Sequence, residues 1–493
     1  MRLRKVRIIL AAVCFALVTL LFLDFTGTLH AWFGWLARVQ FLPAVLALNA
    51  GVVVALLVLT LLFGRVYCSV ICPLGVMQDI FGWFGRRQKK NRYAYSPALS
   101  WLRYGMLAVF LVALVAGAGS LAALLAPYSA YGRIASHLFA PLYRWGNNLL
   151  AYFAERLDSY AFYSAEVWMK GVGTFAVAAV TFVVLGILAW RNGRTYCNTV
   201  CPVGTVLGFF ARYSLFRPVI DTDKCNGCTL CSRNCKAACI DIKTHRIDYS
   251  RCVACMDCIG KCRQGAISYR MRVSQPASAG AAEGGVSRRG FLTVAGLFAA
   301  ASVVRAQEKT VDGGLAAIAD KKAPSRATPI VPPGARGLRH MFQHCTACQL
   351  CVSVCPNEVL RPSSDWKTMM QPVMSYERGY CRPECTKCSE VCPAGAIRPI
   401  TVADKSSTQI GHAVWVAANC VPLTDGVSCG NCARHCPTGA ITMVSSEADN
   451  ADAPKIPVVN TERCIGCGAC ENLCPARPFS AIYVEGHETH RTI

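Results

Sequence analysis

Apolar residues dominate four long segments in the N-terminal part of the chain: Val6 to Leu23, Phe41 to Phe63, Trp101 to Ala126 and Gly171 to Trp190. Each is near the ~20 residues that a helix needs to cross a hydrocarbon layer, so the pattern predicts four transmembrane helices. A fifth apolar run, Gly290 to Val304, is 15 residues long, short for a span but the right size for the core of a signal. After it the apolar positions come in short stretches broken by Cys, Pro and Gly.

Charge orients these segments. Arg2, Arg4, Lys5 and Arg7 precede the first; Arg65, Arg86, Arg87, Lys89, Lys90 and Arg92 lie between the second and third; Arg191, Arg194, Arg212 and Arg217 follow the fourth. By the positive-inside bias these three regions are cytoplasmic. The segment from Pro127 to Lys170, rich in Tyr and Trp, then lies at the outer interface. Of the net charge of +23, residues 1–306 hold 33 Lys+Arg against 11 Asp+Glu, and residues 307–493 hold 18 against 17. The excess flanks apolar spans and forms no separate soluble face, so nucleic acid is not an expected partner. A hydrophobic fraction of 54% and a mean hydropathy of +0.35 exclude an ordinary soluble protein.

The fifth run follows Ser287-Arg288-Arg289-Gly290-Phe291-Leu292. Paired arginines, a Phe-Leu step and an uncharged stretch match a twin-arginine export signal; the alternative is a short buried helix beside an Arg pair. A signal in mid-chain implies two proteins joined end to end, with cleavage near Ala306 left open. The boundaries read from this are a four-helix membrane domain (1–217), a cytoplasmic module (218–272), a linker with the signal (273–306), a second linker (307–338) and an exported domain (339–493).

Thirty cysteines carry the chemistry. Gly64-Arg65-Val66-Tyr67-Cys68 through Cys72-Pro73-Leu74-Gly75 returns as Gly193-Arg194-Thr195-Tyr196-Cys197 through Cys201-Pro202-Val203-Gly204, 129 residues later. Two related helical hairpins are implied, each with a C-x₃-C-P at its cytoplasmic end. Residues i and i+4 share a helix face, so Cys68, Cys72, Cys197 and Cys201 could hold one iron or iron–sulfur site. The other reading is a redox-active or structural thiol pair in each repeat. Cys225, Cys228, Cys231 and Cys235, then Cys252, Cys255, Cys258 and Cys262, give C-x₂-C-x₂-C-x₃-C twice. In that spacing three thiolates wrap one [4Fe–4S] cluster and the fourth reaches its neighbour, so Cys262 joins the first trio and Cys235 the second. Lys236 and Arg263 stand where proline often follows such a motif, and Cys239 is spare.

The exported half has four more motifs: Cys345, Cys348, Cys351 and Cys355; Cys381, Cys385, Cys388 and Cys392; Cys420, Cys429, Cys432 and Cys436; Cys464, Cys467, Cys470 and Cys474. Pro356, Pro393, Pro437 and Pro475 close them, and Cys385 and Cys420 depart from the regular spacing. The unit predicted is a cluster loop, a short helix and a short strand, in α+β ferredoxin-like modules on both sides of the membrane. Six [4Fe–4S] clusters follow. Disulfides would be the ordinary expectation outside the cytoplasm, but twin-arginine export carries domains folded around clusters built inside. No C-x₂-C-H appears for haem, and neither a G-x-G-x-x-G nor a flavin motif is present. One-electron carriers without a hydride site remain.

Residues 1–272 resemble NapH-type membrane ferredoxins, and residues 287–493 resemble NapG-type exported ferredoxins; the MauN and MauM proteins are similar. The resemblance implies a quinol dehydrogenase of the bacterial inner membrane, drawing on the quinone pool. It would feed a periplasmic acceptor such as a c-type cytochrome or a reductase, nitrate reductase in the Nap systems. By analogy with related four-cluster subunits, Cys474 completes the first exported cluster, Cys355 the last, and Cys436 and Cys392 are exchanged between the middle pair. The alternative function is a maturation factor that reduces metal centres or thiols of a partner enzyme. No quinol pocket is legible; Asp24 and His30 are titratable candidates, with ordinary interfacial residues the competing reading.

Overall fold

The computed structural model describes residues 2–87, 93–159, 161–271, 319–447, 450 and 453–493. The signal read at 287–304, the linker before it and residues 307–318 of the linker after it lie outside the described residues, as do Lys89, Lys90 and Arg92 of the basic loop.

The axis of the molecule is helix α1, Arg2–Leu23, about 33 Å long at 1.5 Å per residue. At its start the Arg4 Nε donates to Asp257 Oδ1 at 2.8 Å, in the first ferredoxin module. Just past its end the Thr26 carbonyl accepts from Lys387 Nζ at 3.1 Å, in the C-terminal domain. The two cysteine-rich parts therefore dock at opposite ends of α1.

Two helices, Leu3–Leu23 and Val172–Asn192, are long and apolar enough to cross a membrane. The other two expected spans are not continuous. The second divides into Phe41–Leu46 and Ala50–Phe63, because Asn49 accepts from the Val52 N–H at 3.2 Å and starts a new helix. The third divides into Ser100–Val115 and Gly119–Leu125 at Gly117, whose φ of 72° suits a residue without a Cβ. Val13, Val58, Val112 and Val184 are exposed on the outside of these helices, an apolar surface out of keeping with a free monomer in water.

Most of the tyrosine-rich segment is helical. Pro127–Ile134 is a helix with every residue buried. It continues through a π turn, Ala135–Phe139, into the helix Ala140–Arg156. One apolar core joins Val18 and Phe22 of α1, Tyr128 and Tyr131 of the buried helix, and Cys348 and Leu350 of the C-terminal domain.

The ferredoxin parts follow the predicted unit. Short helices Leu230–Arg233, Leu350–Val354, Lys387–Val391, Asn431–Arg434 and Ala469–Leu473 each follow a cysteine loop. In the first module β1 (Phe216–Ile220) pairs antiparallel with β4 (Ile267–Met271), and β2 (Ile240–Asp241) with β3 (Arg246–Ile247). In the C-terminal domain β5 (Leu360–Pro362) pairs with β6 (Pro372–Met374), β7 (Thr408–Trp415) with β10 (Ile482–Thr492), and β8 (Ile441–Ser445) with β9 (Lys455–Val459). These two-stranded ladders pin the loops between them.

Candidate functional site

In the first module Cys235 stands with Cys252, Cys255 and Cys258, the exchange that the spacing predicts. This quartet faces the N-terminal helical domain, whereas Cys228 of the other trio is exposed. Lys236, at the position of the absent proline, is buried, and its Nζ lies 2.7 Å from Asp79 Oδ2 and 3.4 Å from Asp257 Oδ2. Asp79 also takes Arg194 Nε at 2.7 Å and Arg7 Nη1 at 3.1 Å. Burial alone would raise its pKa; the cations, Arg194 foremost, hold it well below the carboxylate range. Three cations from three parts of the chain thus converge on one carboxylate and fasten the module. The spare Cys239 packs its Sγ 3.5 Å from Cys235.

The C-terminal domain joins its motifs in a different order from the one expected by analogy. Cys392 acts on Cys345, Cys348 and Cys351, and Cys355 acts on Cys381 and Cys388, with Cys385 beside them. Cys474 stands with Cys420, Cys429 and Cys432, and Cys436 with Cys464, Cys467 and Cys470. Motifs therefore pair first with second and third with fourth. The pairing of first with fourth is corrected: within each two-cluster unit a motif exchanges ligands with its immediate sequence neighbour, and β8–β9 and β7–β10 hold the second unit as a core of its own. The units meet where the Cys381 N–H donates to the Cys467 carbonyl at 2.9 Å. The resulting order runs from the Cys345 quartet through those of Cys381 and Cys464 to that of Cys420.

These pockets suit a metal–sulfur group. Backbone N–H groups of Ala266, Ile397, Ala440 and Ala481 donate to Cys262, Cys392, Cys436 and Cys474 Sγ at 3.2–3.4 Å. Burial pushes Cys255 and Cys467 up to about 12, so these thiols ionise only against a cation such as iron. Among the described residues no group of three or more Cys, His, Asp or Glu is placed to hold a single metal ion.

Cys68, Cys72, Cys197 and Cys201 are all buried and come together where the two repeats meet. The C-P-x-G sequence explains the local geometry. Cys201 N-caps the helix Pro202–Ala211, its Sγ accepting from the Gly204 N–H at 3.3 Å, and proline suits the first helical position. A Cβ at Gly75 or Gly204 would overlap the Cys68 or Cys197 carbonyl oxygen. The repeated arginines cross over: Arg65 Nη2 lies 3.8 Å from Cys68 Sγ and donates to the Cys197 carbonyl at 3.1 Å. Arg194 Nη1 lies 3.8 Å from Cys197 Sγ and donates to the Cys68 carbonyl at 2.7 Å. Gln78 Nε2 adds a contact to Cys197 Sγ at 3.3 Å. Arg65 also donates to the Ser250 carbonyl at 3.1 Å, beside the Cys252 loop. On the other side Tyr67 borders these thiols and Tyr128, and Tyr128 borders Cys348.

Asp24 and His30 are paired with each other at 3.3 Å. Asp24 Oδ1 accepts from the backbone of Thr26 and Gly27 at 3.0 and 2.9 Å, and Oδ2 from Leu29 at 2.8 Å and His30 at 3.3 Å. They fix the loop that leaves α1. A cavity of about 700 Å³ opens at the π turn, lined by His137, Phe139, Trp168, Lys170, Phe175 and Phe182.

Two cysteine-rich modules with exchanged ligands, flanking a helical domain, define an iron–sulfur electron-transfer protein. A family described as a 4Fe-4S binding domain matches residues 46–91 and 172–221, the two C-x₃-C-P repeats, and one described as a 4Fe-4S dicluster domain matches 344–399 and 427–477. The methylamine utilization ferredoxin-type protein MauM of Methylobacillus flagellatus is 32% identical over 165 residues, which are 33% of this chain and 70% of MauM. The putative electron transport protein YccM of Escherichia coli is 25% identical over 228 residues, 45% of this chain and 55% of YccM. The uncharacterized protein MJ0749 of Methanocaldococcus jannaschii is 37% identical over 108 residues, 22% of this chain and 42% of that protein, so the chain spans less than half of that relative. No solved structure matches. The chain belongs to the ferredoxin-type iron–sulfur proteins.

Proposed function

We propose that this protein is a membrane conduit that oxidises quinol and passes the electrons to a reductase pathway outside the cytoplasm. The observation that carries the reading is the order of the thiol quartets. From the membrane face outward, the Cys345, Cys381, Cys464 and Cys420 sets follow one another, and the last lies beside exposed Leu423 and Val427, a surface for an electron acceptor. Bound there, iron–sulfur clusters would supply reversible one-electron storage; the protein sets their order. The resemblance to the Nap systems makes a c-type cytochrome or a nitrate reductase-like enzyme the natural acceptor. In this reading the exported domain crosses by the twin-arginine signal, and the basic end of α1 stays in the cytoplasm.

The 24 cysteines of the six motifs then hold six [4Fe–4S] clusters. Cys68, Cys72, Cys197 and Cys201 hold one further iron–sulfur group shared by both repeats, its negative charge met by Arg65 and Arg194. Lying between the Cys252 loop and Cys348, it links the inner module to the exported series.

The test is anaerobic reduction of the purified full chain by menaquinol and ubiquinol analogues, followed by EPR of the exported clusters. Reduction by either quinol supports the proposal. Failure of both, in protein whose clusters dithionite reduces normally, would overturn it and favour a role in enzyme maturation.

A further inference from the structure

We propose that the cavity at the π turn is the quinol-binding site, with His137 receiving the proton of the quinol hydroxyl and Lys170 closing the cavity against the first exported quartet. This rests on the quinol reading above and adds the place and the residues.

The cavity holds about 700 Å³, lies between the Ala135–Phe139 turn and the helix Val172–Asn192, and opens beside exposed Leu142, Trp145 and Val183. Its mouth is therefore part of the apolar belt, which admits a ligand dissolved in the bilayer and not one from water. Its wall is aromatic, with Phe139, Phe175, Phe182 and Trp168, suited to a flat ring and an apolar tail. The polar groups are few: Arg144 and Lys170 are hydrogen-bonded, and three others are not. His137 is 5% exposed, and its Nε2, the Ser136 hydroxyl and the Trp168 indole N–H have no protein partner. A buried polar atom without a partner costs about 1–3 kcal/mol, and π turns are frequent at functional sites. A ligand carrying two ring hydroxyls meets these groups.

The site also reaches the electron carriers. Lys170 Nζ donates to the Val352 carbonyl at 3.0 Å, and Cys351 and Cys355, which belong to the two nearest quartets, are among the charges that act on it. A quinol in the cavity is thus one side chain away from the loop that bears those ligands. The step balances as quinol giving quinone, two electrons and two protons. The Cys345 and Cys381 quartets are the residues that would hold the oxidised one-electron carriers able to take these electrons singly. Each proton goes to His137 Nε2 and from there to the outer aqueous phase before the next follows.

The test uses the full chain in nanodiscs with an azido-ubiquinone photoprobe, peptide mapping of the label, and quinol-dependent reduction. Label in residues 136–145 or 167–183 is expected. Ala179→Trp, which fills the cavity, should raise KM at least about tenfold, and His137→Gln should lower kcat by a similar factor, with dithionite-reduced spectra unchanged in both. If the wild type oxidises quinol but the label falls elsewhere and both variants stay within about twofold, this site is wrong while the quinol reading survives. If the wild type neither takes the label nor oxidises quinol, the reading itself fails and the site with it. Altered dithionite spectra in a variant would transfer the decision to the position of the wild-type label.

Discussion

Asp79→Asn removes the one carboxylate on which Arg7, Arg194 and Lys236 converge. Arg194 is wholly buried and loses the carboxylate that it meets at 2.7 Å; Lys236, 4% exposed, loses a 2.7 Å partner and keeps Asp257 at 3.4 Å. Breaking a buried pair on one side costs about 3–5 kcal/mol, because the remaining charge stays desolvated. At ~1.36 kcal/mol per tenfold, opening of the first ferredoxin module from the N-terminal helical domain should rise by roughly two to four powers of ten. Native-state proteolysis of the full chain, following cleavage within residues 218–271, reads this directly. Asp79→Asn with Lys236→Met removes both partners and should recover at least a factor of about five. The Asp79 pKa is depressed, so its contribution is complete above the unfolded value near pH 4 and is lost only as pH falls toward the folded one. The difference between variant and wild type should accordingly be flat over roughly pH 5–8. A change below about threefold in opening, with cluster spectra intact, would refute the idea that this carboxylate fastens the module.

Other outcomes are expected together. Anaerobically purified protein should contain about 24 Fe in its six clusters plus the further group, and Cys72→Ser with Cys201→Ser should remove only the latter, as seen by iron analysis and Mössbauer spectroscopy; an unchanged count would contradict it. His137 is pushed down to about 4, by burial first and then by Lys170 and Arg133. A depressed histidine opposes folding increasingly as pH drops below the unfolded value of about 6.5, so the π turn should lose about 1–2 kcal/mol between pH 7 and 5. Hydrogen exchange of residues 133–140 measures this, and His137→Leu should abolish the dependence. Arg288→Lys with Arg289→Lys should leave residues beyond 319 protected from protease in spheroplasts; unchanged cleavage there would remove the export reading.

The chemistry was legible where spacing dictates it. The cysteine motifs, the repeat and the alternation of loop, helix and strand all follow from local sequence, and the repeated Arg65 and Arg194 already stood beside the thiols they serve. What local sequence does not carry is long-range pairing. Cys392 and Cys474 each have a sequence that fits either partner motif, and only the strand ladders decide between them. Lys236 read as a mere departure from proline, because Asp79 lies 157 residues away. Hydropathy likewise overlooks an Asn cap and a single left-handed glycine, so two spans looked continuous. The cavity draws on the π turn and on the helix Val172–Asn192, neither of which carries a motif.

The central claim is that quinol electrons enter at the membrane face of the exported domain and leave through its distal quartet. Rapid mixing of quinol with the full chain, with freeze-quench EPR of the distal cluster, tests it through two substitutions. Cys348→Ala lies at the proposed entry and should abolish reduction of the Cys420 quartet. Cys225→Ala lies in the solvent-facing part of the inner module and should leave that reduction within about twofold of wild type. Full reduction in Cys348→Ala, or its loss in Cys225→Ala with the exported clusters intact, would contradict the route.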